Sequence, residues 1–160
     1  MALTYGRYLR LDQLLGAQDP LSPGPEHDEM LFIVIHQVYE LWFKQMLHET
    51  LHLQRGLEKG DSHHALGTLK RMLTILKTLV AQVDILETMT PTSFSTFRSR
   101  LDTASGFESV QFRQFEFLLA HKRRSAIEHY PEGSDERAVL EQTMNARTVW
   151  DSFLLYLQSQ

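Results

Sequence analysis

The chain has 160 residues, of which 42% are hydrophobic and 22% are charged, and it contains no cysteine. This composition is typical of one soluble globular domain, and the lack of cysteine excludes disulfides, cysteine-ligated zinc, iron–sulfur clusters and a thiolate nucleophile. The net charge is −4 and basic residues form no long block, so we expect no nucleic-acid partner. The longest apolar run, Met30 to Ile35, is too short to span a bilayer, and the N-terminus lacks the pattern of a secretory signal. We therefore predict a cytoplasmic protein without a membrane association.

Helical patterns follow one another from the N-terminus. A short helix is predicted at about residues 8–15, followed by a proline-rich loop. A long helix is predicted from about residue 26 to residue 59, because apolar residues recur there every three or four positions, and Gly60 is expected to end it. Ser62 is expected to cap a second long helix. The predicted apolar stripe of that helix consists of Leu66, Leu69, Leu73, Leu76, Val80 and Val83.

The second half of the chain continues the helical pattern in shorter pieces. Thr90 followed by Pro91 predicts a helix start, with the helix running to about residue 101. Further helices are predicted at about residues 107–121, 135–143 and 148–157. No segment has the alternation typical of strands. The sequence therefore predicts an all-α fold, a helical bundle of long amphipathic helices, with residues 1–160 forming a single domain.

One short motif suggests metal chemistry. Residues 48–52 read His48-Glu49-Thr50-Leu51-His52, the H-E-x-x-H pattern in which two imidazoles bind zinc and the glutamate activates water. A hydrolase using these three residues is one hypothesis. The context favours the alternative, two solvated histidines on the polar face of a long helix, because no sheet is predicted beside the motif.

Two aromatic side chains are each followed, one helical turn later, by a polar side chain. His36 follows Phe32 within an otherwise apolar run, where a histidine is either paired in the core or lines a cavity. Arg98 follows Phe94 on the next short helix, where it either forms a surface ion pair or faces inward towards a carboxylate. Together, the two pairs predict a pocket for an aromatic ligand that carries an acidic group.

Four longer blocks add a resemblance that covers nearly the whole chain, from Leu3 to about Leu157. They are LTYGRYLRLDQLL at 3–15, HDEMLFIVIHQ at 27–37, YELWFK at 39–44 and ASGFESVQFR at 104–113. The sequence closely resembles the N-terminal part of the tryptophan 2,3-dioxygenase family. The resemblance implies a haem enzyme that uses O₂ to open the indole ring of L-tryptophan to N-formylkynurenine, the first step of tryptophan catabolism by the kynurenine route. It also implies that residues 1–160 correspond to the N-terminal part of a longer haem dioxygenase fold.

The resemblance carries roles to individual positions. His36 resembles the distal histidine that faces the indole N–H over the haem, and Phe32 resembles the ring beside the substrate. Ile33, Val34 and Ile35 lie between Phe32 and His36 and are expected to contribute to substrate binding. Arg98 resembles the arginine that grips the substrate carboxylate, and Phe94 is the aromatic residue one turn before it. Ser105 and Gly106 resemble the Ser-Gly segment close to the haem. Tyr5, Tyr8 and Leu9 resemble a segment that reaches into a neighbouring subunit of an intertwined homotetramer.

The sequence also departs from the family pattern. The family holds its iron through a histidine in a later W-R-x-R-H-like block and has a Gly-Thr-Gly-Gly loop, and neither block occurs in these 160 residues. We therefore assign no metal ligand in this chain and doubt that the chain is active alone. A truncated, haem-free relative that binds an aromatic acid or a protein partner is the alternative hypothesis.

Overall fold

The computed structural model describes residues 2–24, 26–102, 104 and 106–159, and all regular secondary structure in these residues is helical. The α-helices are α1 (Tyr5–Leu9), α2 (Leu11–Leu14), α3 (His27–Glu58), α4 (Ser62–Leu86), α5 (Pro91–Arg98), α6 (Val110–Leu118), α7 (Asp135–Asn145) and α8 (Val149–Gln158). Two short 3₁₀ helices cover Gly106–Glu108 and Arg124–Ala126. The all-α prediction is confirmed. None of the helices in the described part of the chain combines the length and the apolarity that crossing a membrane requires.

The two long helices, α3 and α4, form a hairpin to which the other elements attach. Gly60, with a φ of 72°, ends α3 as predicted, because this left-handed conformation is accessible to glycine without strain. The prediction that Ser62 caps α4 is wrong. The cap is Asp61, whose carboxylate accepts a hydrogen bond from the His64 backbone N–H at 3.0 Å. Ser62 is the first helical residue, and its hydroxyl lies 2.6 Å from the Tyr156 hydroxyl of α8.

The face of α4 that packs on α3 is not the predicted one. The predicted stripe is mostly exposed, with Leu66 at 69% and Val80 at 72% relative accessibility. The buried residues are instead Ala65, Thr68, Met72, Ile75 and Leu79. These residues repeat with the same three-to-four spacing, so both faces match a helix-packing pattern, and the small Ala65 and Thr68 let the two backbones approach. On α3, the apolar residues that recur every three or four positions do mark the packed face, because Ile35, Met46, Leu53 and Leu57 are all buried.

The shorter helices complete two hydrophobic clusters. α6 and α8 pack on α3, adding Phe115, Val149, Phe153 and Tyr156 to the core between α3 and α4. A second cluster lies between α6 and α7 around Phe117 and Leu140. At the end of α3, the Glu58 carboxylate accepts hydrogen bonds from Arg147 at 3.0 Å and from Ser152 at 2.9 Å. These contacts attach the start of α8 to α3.

The N-terminal segment and the borders of α5 and α6 differ from the predicted ranges. The single helix predicted at 8–15 is divided into α1 and α2, because Arg10 takes a left-handed φ of 52°. α5 ends at Arg98, three residues before the predicted end, and a 3₁₀ turn precedes α6. The loop before α3 is held by Glu29, whose buried carboxylate accepts hydrogen bonds from the backbone N–H groups of Leu21 at 2.7 Å and Ser22 at 3.1 Å.

Candidate functional site

Side chains from three elements meet beside the first half of α3. Phe32 and His36 lie one turn apart on α3, so they share one face of that helix. The start of α5 is fixed by Pro91 and by Thr90, whose hydroxyl oxygen accepts a hydrogen bond from the Ser93 backbone N–H at 3.1 Å. This start brings Phe94 to Phe32, with 5.8 Å between their ring centroids. The structure therefore unites the two predicted aromatic positions.

A third phenylalanine, missed by the sequence prediction, completes an aromatic cluster. Phe97 is fully buried, and its ring centroid lies 5.6 Å from that of Phe32 and 5.5 Å from that of Phe94. The Phe94–Phe97 pair is close to perpendicular, the edge-to-face geometry that aromatic rings prefer. The three-residue spacing of the two rings on α5 is the signal that could have identified Phe97.

The half-buried His36 ring is held in one orientation by its own helix. Its Nδ1 atom lies 2.7 Å from the carbonyl oxygen of Phe32, and the two rings are 4.1 Å apart between centroids. A carbonyl oxygen only accepts hydrogen bonds, so Nδ1 carries the proton of the neutral ring. Nε2 then carries a lone pair that has no hydrogen-bond partner among the residues that the structure describes. His36 therefore presents a hydrogen-bond acceptor on its outer edge.

The outer edge of His36 faces Gly106. A Cβ atom added to Gly106 would lie 3.7 Å from the His36 Nε2 atom, so a larger side chain at this position would take up the space beside the imidazole. Glycine keeps that space open. Ser105, the other residue expected near a haem, lies outside the described residues.

Two depressions flank the pair formed by Phe32 and His36, and both residues line each of them. One has a volume of about 300 Å³ and is lined also by Glu40, Ala104, Gly106, Glu108 and Ser109. The other has a volume of about 390 Å³ and is lined also by Leu86, Met89, Thr90, Pro91 and Phe94. Their combined size and largely apolar walls suit a planar aromatic ligand.

Glu40 adds a carboxylate one turn beyond His36. The side-chain amide of Gln111 donates hydrogen bonds to the Glu40 carboxylate at 2.8 Å and to the Glu40 backbone carbonyl at 2.9 Å. Gln111 lies on α6, so this double contact fixes α6 against α3 beside the cavity. The four-residue spacing from His36 was a sequence signal for Glu40, and it was overlooked.

Arg98 occupies the end of α5 with its side chain exposed. Its Nη1 donates a hydrogen bond to the backbone carbonyl of Asp102 at 3.3 Å. Asp102 has a φ of 47°, which turns the chain back towards the end of α5. The guanidinium is therefore near the aromatic cluster in sequence but is directed to a backbone carbonyl in this conformation.

The other predicted binding residues are not brought into the two depressions. Ile35 is buried in the core, Ile33 is half-buried and Val34 is 40% exposed. On α1, Tyr5 and Tyr8 are 76% and 71% exposed, and Leu9 is 41% exposed. Their predicted roles remain predictions.

The H-E-x-x-H motif does not form a metal centre. Glu49 is buried, and its carboxylate accepts hydrogen bonds from Arg71 at 3.1 Å and from Gln45 at 2.7 Å. His48 is exposed as expected, but His52 is half-buried against the ring of His64, so the expectation of a solvated His52 is wrong. Among the residues that the structure describes, no group of three or more histidine or acidic side chains is placed to hold a metal ion.

Comparison with known proteins identifies the family of this chain. The profile of the family described as tryptophan 2,3-dioxygenase matches residues 1–152. Proteins named tryptophan 2,3-dioxygenase from Anaeromyxobacter sp. (strain K) and Herpetosiphon aurantiacus are each 56% identical, over 99% and 98% of this chain and 59% and 60% of their own lengths. One from Nocardioides sp. is 49% identical over 98% of this chain and 61% of its own length. The chain thus spans about three fifths of the length of these relatives. It belongs to the tryptophan 2,3-dioxygenase family.

Proposed function

We propose that this chain supplies the substrate side of the pocket in a haem enzyme that opens the indole ring of L-tryptophan with O₂ to give N-formylkynurenine. The observation that carries the proposal is the pairing of the bare Nε2 of His36 with the aromatic cluster of Phe32, Phe94 and Phe97. An aromatic cluster beside a hydrogen-bond acceptor matches an indole, which has a flat apolar ring and one N–H donor. Family membership agrees with this chemistry.

The residues around His36 fit the distal side of a haem. Gly106 leaves the space next to Nε2 free, and Ala104 lines the same depression, so a planar group has room there. Gly106 is the described residue that we expect to border the haem, together with Ser105. Bound ferrous haem would supply O₂ binding and the redox chemistry. We assign the axial iron ligand to no residue of this chain.

The protein side chains bind and orient the substrate. Phe32 and Phe94 hold the indole by apolar contact, with the buried Phe97 packed behind them, and His36 Nε2 accepts the hydrogen bond of the indole N–H. The 3.3 Å hydrogen bond from Arg98 to the Asp102 carbonyl is long, so the guanidinium can exchange it for the substrate carboxylate, a stronger and charge-assisted partner. Contacts at both ends of the substrate, the indole and the carboxylate, fix the indole relative to His36.

We further propose that the active protein is a cytoplasmic homotetramer in which α1 of one subunit closes the pocket of a neighbour. The exposed Tyr5, Tyr8 and Leu9 support this, because three adjacent large apolar side chains on a five-residue helix are unusual on a surface that contacts only water. Burial between subunits would remove that apolar area from water.

The test uses the full-length product of the gene that encodes this sequence. The protein is purified, its haem content is measured, and conversion of L-tryptophan under O₂ is followed by mass spectrometry of the product. We expect a ligated Soret band and a product that contains both oxygen atoms of O₂. A protein that binds L-tryptophan but takes up haem only non-specifically would overturn the proposal and favour the haem-free binding module instead.

A further inference from the structure

Two imidazole rings contact each other at the corner where α3 meets α4. The ring centroids of His52 and His64 are 3.9 Å apart and the rings are inclined by 61°. Both side chains are half-buried. The sixteen residues that separate His52 from His36 correspond to about 24 Å along α3, so this pair is remote from the proposed pocket.

The position of His64 is fixed by its surroundings. A Cβ atom added to Gly56 would lie 2.7 Å from the His64 Cδ2 atom, so the ring rests directly on the bare backbone of α3. On the other side, the His64 backbone N–H is held by the Asp61 cap at 3.0 Å. This contact explains a buried glycine inside α3, where glycine costs helix stability by about 0.5–1 kcal/mol relative to alanine.

The charges around the pair oppose an added proton. On α3, His48 and Arg55 repel a cation at His52, whereas Glu49 attracts one. Both Glu49 oxygens, however, lie 3.1 Å from the Arg71 guanidinium of α4, which offsets part of this attraction.

His64 is the third residue of α4, so the corner lies at the positive end of the helix dipole, which disfavours a further positive charge there. The Asp61 carboxylate lies at the same end of α4 and is engaged as its cap. On the α8 side, Glu58 and Arg147 form an ion pair with each other at 3.0 Å.

We propose that His52 and His64 form an acid-sensitive latch, which holds the first turn of α4 on α3 while the His52 ring is neutral and releases it when that ring takes up a proton. The ring contact and the close fit on Gly56 restrict the access of water that would solvate the added charge. Release of this turn also breaks the link between Ser62 and Tyr156, which loosens α8.

The direction of titration agrees with a latch that closes in the neutral form. Burial, together with the neighbouring His64, lowers the pKa of His52 below its usual 6.5. As the pH falls, the unfolded chain therefore takes up this proton before the folded chain does. The stabilisation is complete above about pH 6.5 and is lost as the pH falls through the lowered pKa of the folded state.

An apolar cavity of about 430 Å³ adjoins this corner. Its walls come from α3, α4 and α8 and include Leu57, Ala65 and Phe153. Hydrogen exchange at the amides of residues 62–66 therefore reports directly on the latch, because these amides become accessible when the first turn of α4 leaves α3.

The test compares this chain with His52→Gln and with the control His63→Gln, which replaces an exposed histidine on the first turn of α4. Urea unfolding is measured between about pH 7.5 and about pH 5.5, the range in which histidines titrate. We expect the urea midpoint of the unsubstituted chain to fall across this range, that of His52→Gln to fall distinctly less, and that of His63→Gln to fall as in the unsubstituted chain.

A second measurement does not depend on the stability of any variant. NMR titration of the unsubstituted chain should give His52 a pKa below its usual 6.5, and the protection of the amides of residues 62–66, taken relative to the intrinsic exchange rate at each pH, should fall at the acidic end of the range. A His52 pKa at or above its usual 6.5, or protection of the amides of residues 62–66 that does not change with pH, would overturn the latch.

Discussion

The Nδ1 atom of His36 lies 2.7 Å from the carbonyl oxygen of Phe32, so the helix that carries the ring also determines which of its nitrogens bears the proton. The free Nε2 then faces Gly106, some seventy residues further along the chain. This relationship sets the direction of any hydrogen bond at the site, because His36 in its neutral form accepts from a ligand there and does not donate.

Substitution of His36 by alanine should lower kcat without releasing haem. The side chain orients the substrate through one hydrogen bond, and loss of a positioning contact in the transition state costs at least tenfold in rate, about 1.4 kcal/mol. Steady-state kinetics and the Soret spectrum of the full-length variant check this. Loss of haem on substitution would show that His36 is an iron ligand instead.

Substitution of Arg98 by alanine should raise KM for L-tryptophan, because it removes the guanidinium that pairs with the substrate carboxylate. The expected loss of binding free energy is about 1.5–3 kcal/mol. Tryptamine, which lacks that carboxylate, is the matched control, and its binding should change little. An equal effect of the substitution on both compounds would remove Arg98 from this role.

Substitution of Phe97 by alanine should destabilise the fold by about 3–5 kcal/mol, because the ring is fully buried between Phe32 and Phe94. Phe94 is only half-buried, so Phe94→Ala should cost less. Urea unfolding at neutral pH compares the two variants. Equal losses of stability in Phe97→Ala and Phe94→Ala would contradict the conclusion that Phe97 is the more important of the two rings for stability.

The corner between α3 and α8 should respond to acid through Glu58. Hydrogen bonds from Arg147 and Ser152 lower the pKa of Glu58 below its usual 4.5. The resulting stabilisation is complete above about pH 4.5 and is lost as the pH falls through the lowered pKa. Glu58→Gln should therefore flatten the acid limb of the stability profile, whereas Glu132→Gln, at a side chain that is 91% exposed, should leave it unchanged. Identical acid limbs in Glu58→Gln and the unsubstituted chain would contradict this assignment.

The fold could be predicted from the sequence where local signals agree with packing. The range of α3 followed from its apolar period and from Gly60, both of which act within a few residues. The packing face of α4 could not be predicted in this way, because Leu66 and Ala65 begin two stripes of identical spacing. The fit of the small residues against α3 decides which of the two stripes is buried.

Only part of the site could be predicted, because again only signals within a single helix are visible in the sequence. Phe32 with His36 and Phe94 with Arg98 are pairs within single helices, so their spacing was visible in the sequence. The contact between Gly106 and His36 and the hydrogen bonds from Gln111 to Glu40 depend on tertiary packing, which spacing alone does not contain. The Arg98 side chain is directed to the turn at Asp102. The sequence did not indicate this turn, because the residue with the left-handed φ is an aspartate and not a glycine.

The comparison of L-tryptophan with its N1-methyl derivative tests the central claim most directly. The methyl group removes the indole donor that we assign to His36 Nε2 and keeps the ring and the carboxylate. We predict that the full-length protein prefers L-tryptophan in kcat/KM by at least about tenfold, the equivalent of one hydrogen bond of 1.4 kcal/mol, and that His36→Ala loses most of this preference. A preference of equal size in the variant would contradict the role of His36 as the acceptor of the indole N–H.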